Sequence, residues 1–236
     1  MSHVQVQPTL VEQVVNAIVS EIAEGELPAN SRLIQDELAR AYGVSRQPVQ
    51  QALLLLRDRG MVKEAPGRGL IVSPLDVGFV RNLYEMRAML DGLAARLAAE
   101  RGAERARLEG PAYLDLGRAA VKSGSLNEQI EADMRFHAFI NELSENPLIG
   151  ETTAPHWAYL RRVMGEVLRD DAQMPQSILN EHVAILDAVI AGDGAQAETL
   201  SRDHISRAAK IFVQRLQAQQ EASEKKMRER PTRRIR

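Results

Sequence analysis

A mostly α-helical chain in two parts, the first carrying one small β-hairpin and the second all helix, is predicted by three features of the sequence. Apolar residues recur at helical spacing through most of its length. Aromatic residues are only 4% of 236, too few for an aromatic-rich β-sandwich. The strand-like runs gather in one place, on either side of Pro66-Gly67-Arg68-Gly69. Apolar residues make up 44% and charged residues 26%, enough to bury cores in two ordinary domains and too apolar for a disordered chain.

The elements of residues 1–75 follow in order. Thr9 and Glu12 form a capping-box pattern, and Leu10, Val14, Ala17, Ile18 and Ile22 then keep helical spacing up to Gly25, which predicts a helix over 10–24. A turn at Pro28–Ser31 leads to a short helix over about 35–42 that ends before Gly43. Ser45 is placed to cap a third helix running to Arg59, with Gly60 as its stop. Met61–Ala65 and Leu70–Ser73 make the hairpin. Helix, short helix, turn, helix and hairpin together read as a winged helix-turn-helix.

That unit suits double-stranded DNA. A helix beginning at Ser45 fits the major groove with Arg46, Gln47 and Gln50 toward base edges, while Val49, Ala52, Leu53 and Leu56 close a small core behind it. Arg68 and Gly69, on a glycine-hinged wing, can reach the backbone or the minor groove. Residues 32–68 hold seven basic and four acidic groups inside a chain of net charge −2, a modest electrostatic footprint for nucleic acid. The alternative is a winged helix used only as a protein-interaction module. Residues 225–236 carry seven basic groups and one acidic, and residues 223–236 read as a solvated tail.

The runs G-E-L-P-A-N-S-R-L (25–33), D-E-L-A-R-A-Y-G-V-S-R-Q-P-V (36–49) and A-L-L-L-L-R-D-R-G-M-V (52–62) resemble the winged-helix domain of GntR-type bacterial transcription regulators. In G-V-S-R-x-P-V, Arg46 matches the DNA-reading arginine and Ser45 the helix cap. The chain departs from the family at Gln50, where a second arginine is usual, and at Ala29-Asn30, where a glycine is usual and Asn tolerates the turn. The resemblance implies a homodimer on a pseudo-palindromic operator.

From Asp76 the sequence predicts six helices, about 76–100, 103–122, 126–144, 148–169, 176–191 and 195–222, forming an all-α bundle. Gly110-Pro111 should break or kink the second, Pro155 interrupts the fourth, and Ser125 with Glu128 forms a capping box for the third. Asp133, His137, His182 and His204 occupy positions that the apolar periodicity assigns to the interior. Asp133 and His137, four apart, share one face of the third helix. One carboxylate and three imidazoles from three helices suit a divalent ion: zinc first, then nickel, manganese or iron. Taken singly, each histidine is equally a satisfied core residue. With no cysteine in the chain, thiolate metal sites, disulfides and cysteine nucleophiles are excluded.

L-Y-E-M-R-A-M-L-D-G-L-A-A-R-L-A-A (83–99), D-M-R-F-H (133–137), N-P-L (146–148), E-H-V-A-I-L-D-A-V-I-A-G-D (181–193) and D-H-I (203–205) resemble the FCD effector domain of FadR-type GntR regulators. The resemblance implies that Asp133, His137, His182 and His204 hold the metal within the ligand cavity. It also implies that Arg87, in Glu85-Met86-Arg87, clamps the carboxylate of a small effector; the other reading of Arg87 is a structural pair with Asp91. Six helices rather than seven points to the VanR-like branch. The expected function is a ligand-responsive transcription regulator, a repressor by expectation. A metal sensor and a metal-dependent hydrolase are the alternatives, the latter without a visible general base. No apolar run is long enough to span a bilayer, and Met1–Pro8 lacks the basic and apolar regions of a signal peptide, so no membrane role and a cytoplasmic location are expected. His3 and His156 have no inferred role.

Overall fold

The computed structural model describes residues 8–169 and 173–228, with side chains through 222. Helix α1 (Leu10–Glu24) starts at a complete capping box: Thr9 Oγ1 accepts from the Glu12 amide at 3.2 Å, and the Glu12 carboxylate accepts from the Thr9 amide at 2.7 Å. Then come β1 (Arg32–Leu33), α2 (Gln35–Ala41), α3 (Arg46–Asp58), β2 (Val62–Glu64) and β3 (Leu70–Val72). The strands form one antiparallel sheet in the order β1-β3-β2, with Lys63 and Arg32 both opposite Ile71. Strand β1 was not foreseen, because two residues show no alternation and only pairing with β3 defines them. Val49, Ala52, Leu53 and Leu56 are fully buried, as the pattern required. Asn30 takes a positive φ of 70° at the turn into β1, where the family usually has glycine nearby.

Seven α-helices follow among the described residues: α4 (Val77–Arg101), α5 (Ala103–Ser123), α6 (Leu126–Leu143), α7 (Pro147–Thr153), α8 (Trp157–Leu168), α9 (Met174–Ile190) and α10 (Gly194–Arg228). The expected fourth helix is two, α7 and α8, joined by a 3-10 turn at Ala154–His156. Pro155 has no amide to continue the α pattern there. The count of six is corrected to seven, so helix number gives no support to the VanR-like branch. Helix α5, in contrast, runs on through Pro111 without a break, with the neighbouring Gly110 backbone close against Leu186 of α9. At the start of α6 the capping box is half formed. Ser125 Oγ accepts from the Glu128 amide at 3.3 Å, but the Glu128 carboxylate takes the Ser123 hydroxyl at 2.6 Å. Helix α10 runs past the expected end at 222; residues 229–236 of the expected tail, and His3, lie outside the described residues.

Two apolar cores result. One is built by α4, α5, α6, α7, α9 and the start of α10 around Phe136, Phe139 and Leu143. The other is continuous from the winged helix into the bundle, joining Val15, Ile18 and Ile22 of α1 to Leu160, Val163 and Val167 of α8. The two parts of the chain are therefore docked through helix α8 rather than merely linked.

Candidate metal centre and nucleic-acid interface

Asp133 and His137 lie one turn apart on α6, while His182 comes from α9 and His204 from α10. All four are buried, and one potential ligand atom from each lies within 4.8 Å of the others. Asp133 Oδ1 is 3.8 Å from His137 Nε2 and 3.4 Å from His182 Nε2. Ligand atoms around one divalent ion with bonds near 2.1 Å stand about 3 to 4.2 Å apart, so modest side-chain adjustment brings the set to bonding distance. The Nε2 atoms of His137 and His182 are buried without a hydrogen-bond partner. An orphaned ring nitrogen in the interior is costly unless something binds it. Burial, reinforced by His204, His137 and Arg87, holds the His182 pKa well below the ordinary imidazole value. Burial and Arg87 lower that of His137 and outweigh Asp133 and Asp91. Both rings are thereby kept neutral and able to donate a lone pair. The residues present fit a divalent cation.

The cluster is braced from outside by carboxylates. Asp91 Oδ2 lies 3.2 Å from His137 Nδ1, which turns Nε2 inward, and Glu181 Oε2 lies 2.6 Å from His204 Nδ1 with Arg207 on its other oxygen. Such partners fix the ring orientation of metal-binding histidines. Phe136 stacks on His182 with ring centroids 4.0 Å apart. Sequence reasoning missed Glu181 and Phe136 as site residues and saw Asp91 only as a partner for Arg87. Glu181, adjacent to His182 and placed to reach a second histidine, was the one signal available.

Arg87, on α4, is buried and pairs with Asp91 through Nε at 3.2 Å, as the structural reading had it. That contact engages only one edge. Its Nη2 and the Tyr84 hydroxyl are buried against each other and reach no carbonyl or carboxylate among the described residues. Burial opposes the charge of both Arg87 and Asp91. Asp91, Tyr84 and Asp133 nevertheless raise the Arg87 pKa, and Arg87 with His137 and His204 draws Asp91 below the carboxylate range. Burial, offset in part by Arg87, pushes the Tyr84 phenol upward, so it remains a protonated donor. Glu85 is exposed, and His156 faces Phe79 rather than the cluster.

Among the winged-helix residues, Ser45, Arg46, Gln47 and Gln50 are exposed at the N-terminal end of α3, with Pro48 and Val49 buried behind them. Ser45 has the extended backbone of a cap, but its hydroxyl accepts no hydrogen bond from the helix. Ser45 therefore stands at the expected cap position without the side-chain bond. Arg46 is 68% exposed and its Nε meets Asp36 Oδ1 of α2 at 2.9 Å. Arg68 and Gly69 are exposed at the wing tip, where Gly67 and Gly69 adopt φ of 104° and 95°, a conformation open to glycine and strained for other residues. The cluster in the bundle and the exposed face of α3 belong to different domains.

Residues 10–72 match the family described as bacterial regulatory proteins, gntR family, and residues 82–207 match the FCD domain. The chain is 31% identical to the HTH-type transcriptional regulator LutR of Bacillus subtilis over 81% of its own length and 95% of that protein. It is 26% identical to the HTH-type transcriptional repressor RspR of Escherichia coli over 85% and 89%. The solved structure of E. coli McbR/YncC superposes with a TM-score of 0.76 at 21% identity, covering 89% of this chain and 99% of that one. A putative GntR regulator from Rhodococcus sp. RHA1 gives 0.72 at 22%, covering 86% and 97%. Among the described residues no helix is long and apolar enough to cross a membrane. With a winged helix ahead of an FCD bundle, and relatives that are transcriptional regulators, the chain belongs to the GntR family with an FCD domain and is a DNA-binding transcription regulator, not an enzyme.

Proposed function

We propose that this regulator is a cytoplasmic, homodimeric repressor that holds a divalent metal at Asp133, His137, His182 and His204 and releases a pseudo-palindromic operator when a small carboxylate binds beside the ion. What carries this reading is the sign of the buried polar atoms. His137 Nε2 and His182 Nε2 are buried ring nitrogens without a hydrogen-bond partner, while Arg87 Nη2 and the Tyr84 hydroxyl, which lie against each other, reach no carbonyl or carboxylate among the described residues. A site that wants both a cation and an anion is served by a metal and a carboxylate together. When bound at Asp133, His137, His182 and His204, the ion, with zinc preferred over nickel, manganese or iron for this nitrogen-rich set, would supply positive charge beside which a carboxylate could sit. Arg87 and Tyr84 then orient the carboxylate.

On the DNA side, Arg46, Gln47 and Gln50 read base edges, the Ser45 end of α3 approaches phosphate, and Arg68 with Gly69 carries the wing to the backbone or the minor groove. The Arg87 and Tyr84 donors favour a carboxylate effector over the ion acting alone. Operator duplexes selected from random sequence, titrated with metal-free protein, metal-loaded protein, and metal-loaded protein plus carboxylates, separate the two readings. A carboxylate sensor loses operator affinity only on addition of the organic acid at constant metal. Loss on chelation alone, with no response to any acid, overturns the carboxylate reading in favour of metal sensing.

A further inference from the structure

The cavity that Asp133 and His182 open onto is apolar almost everywhere else. It lies between α5, α6, α8 and α9, and its walls include Leu114, Val121, Met164, Leu168, Ile178 and Leu179. None of the described residues lining it is lysine or arginine. Apart from Asp133 and His182, its polar side chains are Tyr113, stacked on Phe139 at 4.1 Å, and Gln129, whose amide donates to the Ala120 carbonyl at 3.5 Å. A second carboxylate or a phosphate would be buried here without a cation, and a row of hydroxyls would have only Tyr113 and Gln129 to meet. The free space is about 30 Å³, room for a water or two, so an acid of several carbons enters only by moving side chains. Met164 and Leu168 are flexible enough to yield.

We propose that the effector is an apolar monocarboxylate, a short to medium aliphatic acid whose one charged end meets the metal centre and whose hydrocarbon chain fills the slot between α5, α6, α8 and α9. This rests on the metal-and-carboxylate reading above and names the class of acid that reading leaves open. The ligand brings one charge because the slot offers no second cation. Its body is hydrocarbon because the walls can repay only apolar contact.

The test is calorimetric titration of zinc-loaded, full-length protein with acetate, butyrate, hexanoate and octanoate, and with citrate, gluconate and hexanol, the zinc content being measured on the same sample. Affinity is expected to rise about fourfold per methylene until the slot is full. Citrate and gluconate should bind at least tenfold more weakly than hexanoate, and hexanol should bind weakly or not at all. Leu168→Gln should weaken hexanoate about tenfold and leave acetate and zinc content unchanged; should that variant fail to fold, the chain-length series on the unaltered protein decides. A flat series, or citrate or gluconate outcompeting hexanoate, overturns the apolar class and leaves the carboxylate reading standing. No response to any acid, hexanol equal to hexanoate, or no uptake of zinc overturns both.

Discussion

Asp91 touches two charged or chargeable groups at once, Arg87 at 3.2 Å and His137 Nδ1 at 3.2 Å, and all three are buried. Removing its charge does two separable things. Arg87 is left as an uncompensated interior cation, which costs about 3–5 kcal/mol, and His137 exchanges a charged acceptor for a weaker neutral amide, a change at a position whose loss typically costs about 10- to 100-fold in metal affinity. Asp91→Asn is therefore expected to lower both the urea midpoint and zinc affinity, the latter read by competition with a chromophoric chelator. Glu181 makes the matching contact to His204 but is 18% exposed and shares Arg207, whose other side is in water. For Glu181→Gln the ion affinity should fall while stability stays within about 1 kcal/mol. Equal loss of stability in the two variants would mean that Asp91 has no special role beyond burial. At the proposed metal centre, His182→Ala removes the ring that stacks on Phe136 and with it one proposed ligand; it should reduce bound zinc below a tenth of an equivalent after dialysis. Retention of a full equivalent would place the ion elsewhere.

Helix α3 presents its reading face with Arg46 already engaged by Asp36, 2.9 Å away and more than half exposed. An exposed pair of this kind contributes about 0–1 kcal/mol, less than a bidentate contact to guanine, so DNA can win the arginine from Asp36. Arg46→Ala should weaken specific operator binding by about 1–3 kcal/mol in fluorescence anisotropy with little change on random duplex. Asp36→Ala should leave specific binding unchanged or tighten it by up to about fivefold; weakening instead would make Asp36 a positioning partner. Elements like α1 and α3 were legible because caps and apolar spacing are local, and the buried Val49, Ala52, Leu53 and Leu56 follow from one helical period. The burial of Asp133, His137, His182 and His204 was legible for the same reason, as polar residues on apolar stripes. Strand β1 was not, since its ladder depends on β3, nearly forty residues away. Asp91 and Glu181 escaped as histidine partners because the rings they meet come from other helices. Pro155 split a helix and Pro111 did not, a difference that the tertiary setting decides and proline alone cannot.

Helix α8 lies between the apolar slot and the winged helix. Met164 and Leu168 wall the apolar slot, and on the adjacent stripe Gly165 and Arg169 meet α1 of the winged helix. The approach is close enough that a Cβ on Gly165 would stand 2.2 Å from the Ala23 carbonyl oxygen, and Arg169 Nη2 donates to that same oxygen at 2.8 Å. Tyr159, also on α8, accepts the Asp76 amide at 3.2 Å where the linker enters α4. Side chains displaced by a ligand in the slot thus press on a helix whose neighbouring stripe has no slack against the DNA-binding domain. Because cores are close-packed, a small shift there moves α1 rather than being absorbed. Coupling between effector and operator is a difference in affinity between two domain arrangements, typically 1–3 kcal/mol or about 5- to 150-fold. Gly165→Ala forces α1 and α8 apart at a cost of about 1–3 kcal/mol. The expected outcome is that the variant still binds zinc and carboxylate, and still binds operator, but the carboxylate changes its operator affinity by less than twofold. Arg169→Met, which removes the Ala23 contact without a clash, should reduce the coupling in the same direction by a smaller factor. If both variants keep the full response, the signal reaches the DNA-binding domain through α4 and the linker, and α8 is only a packing surface.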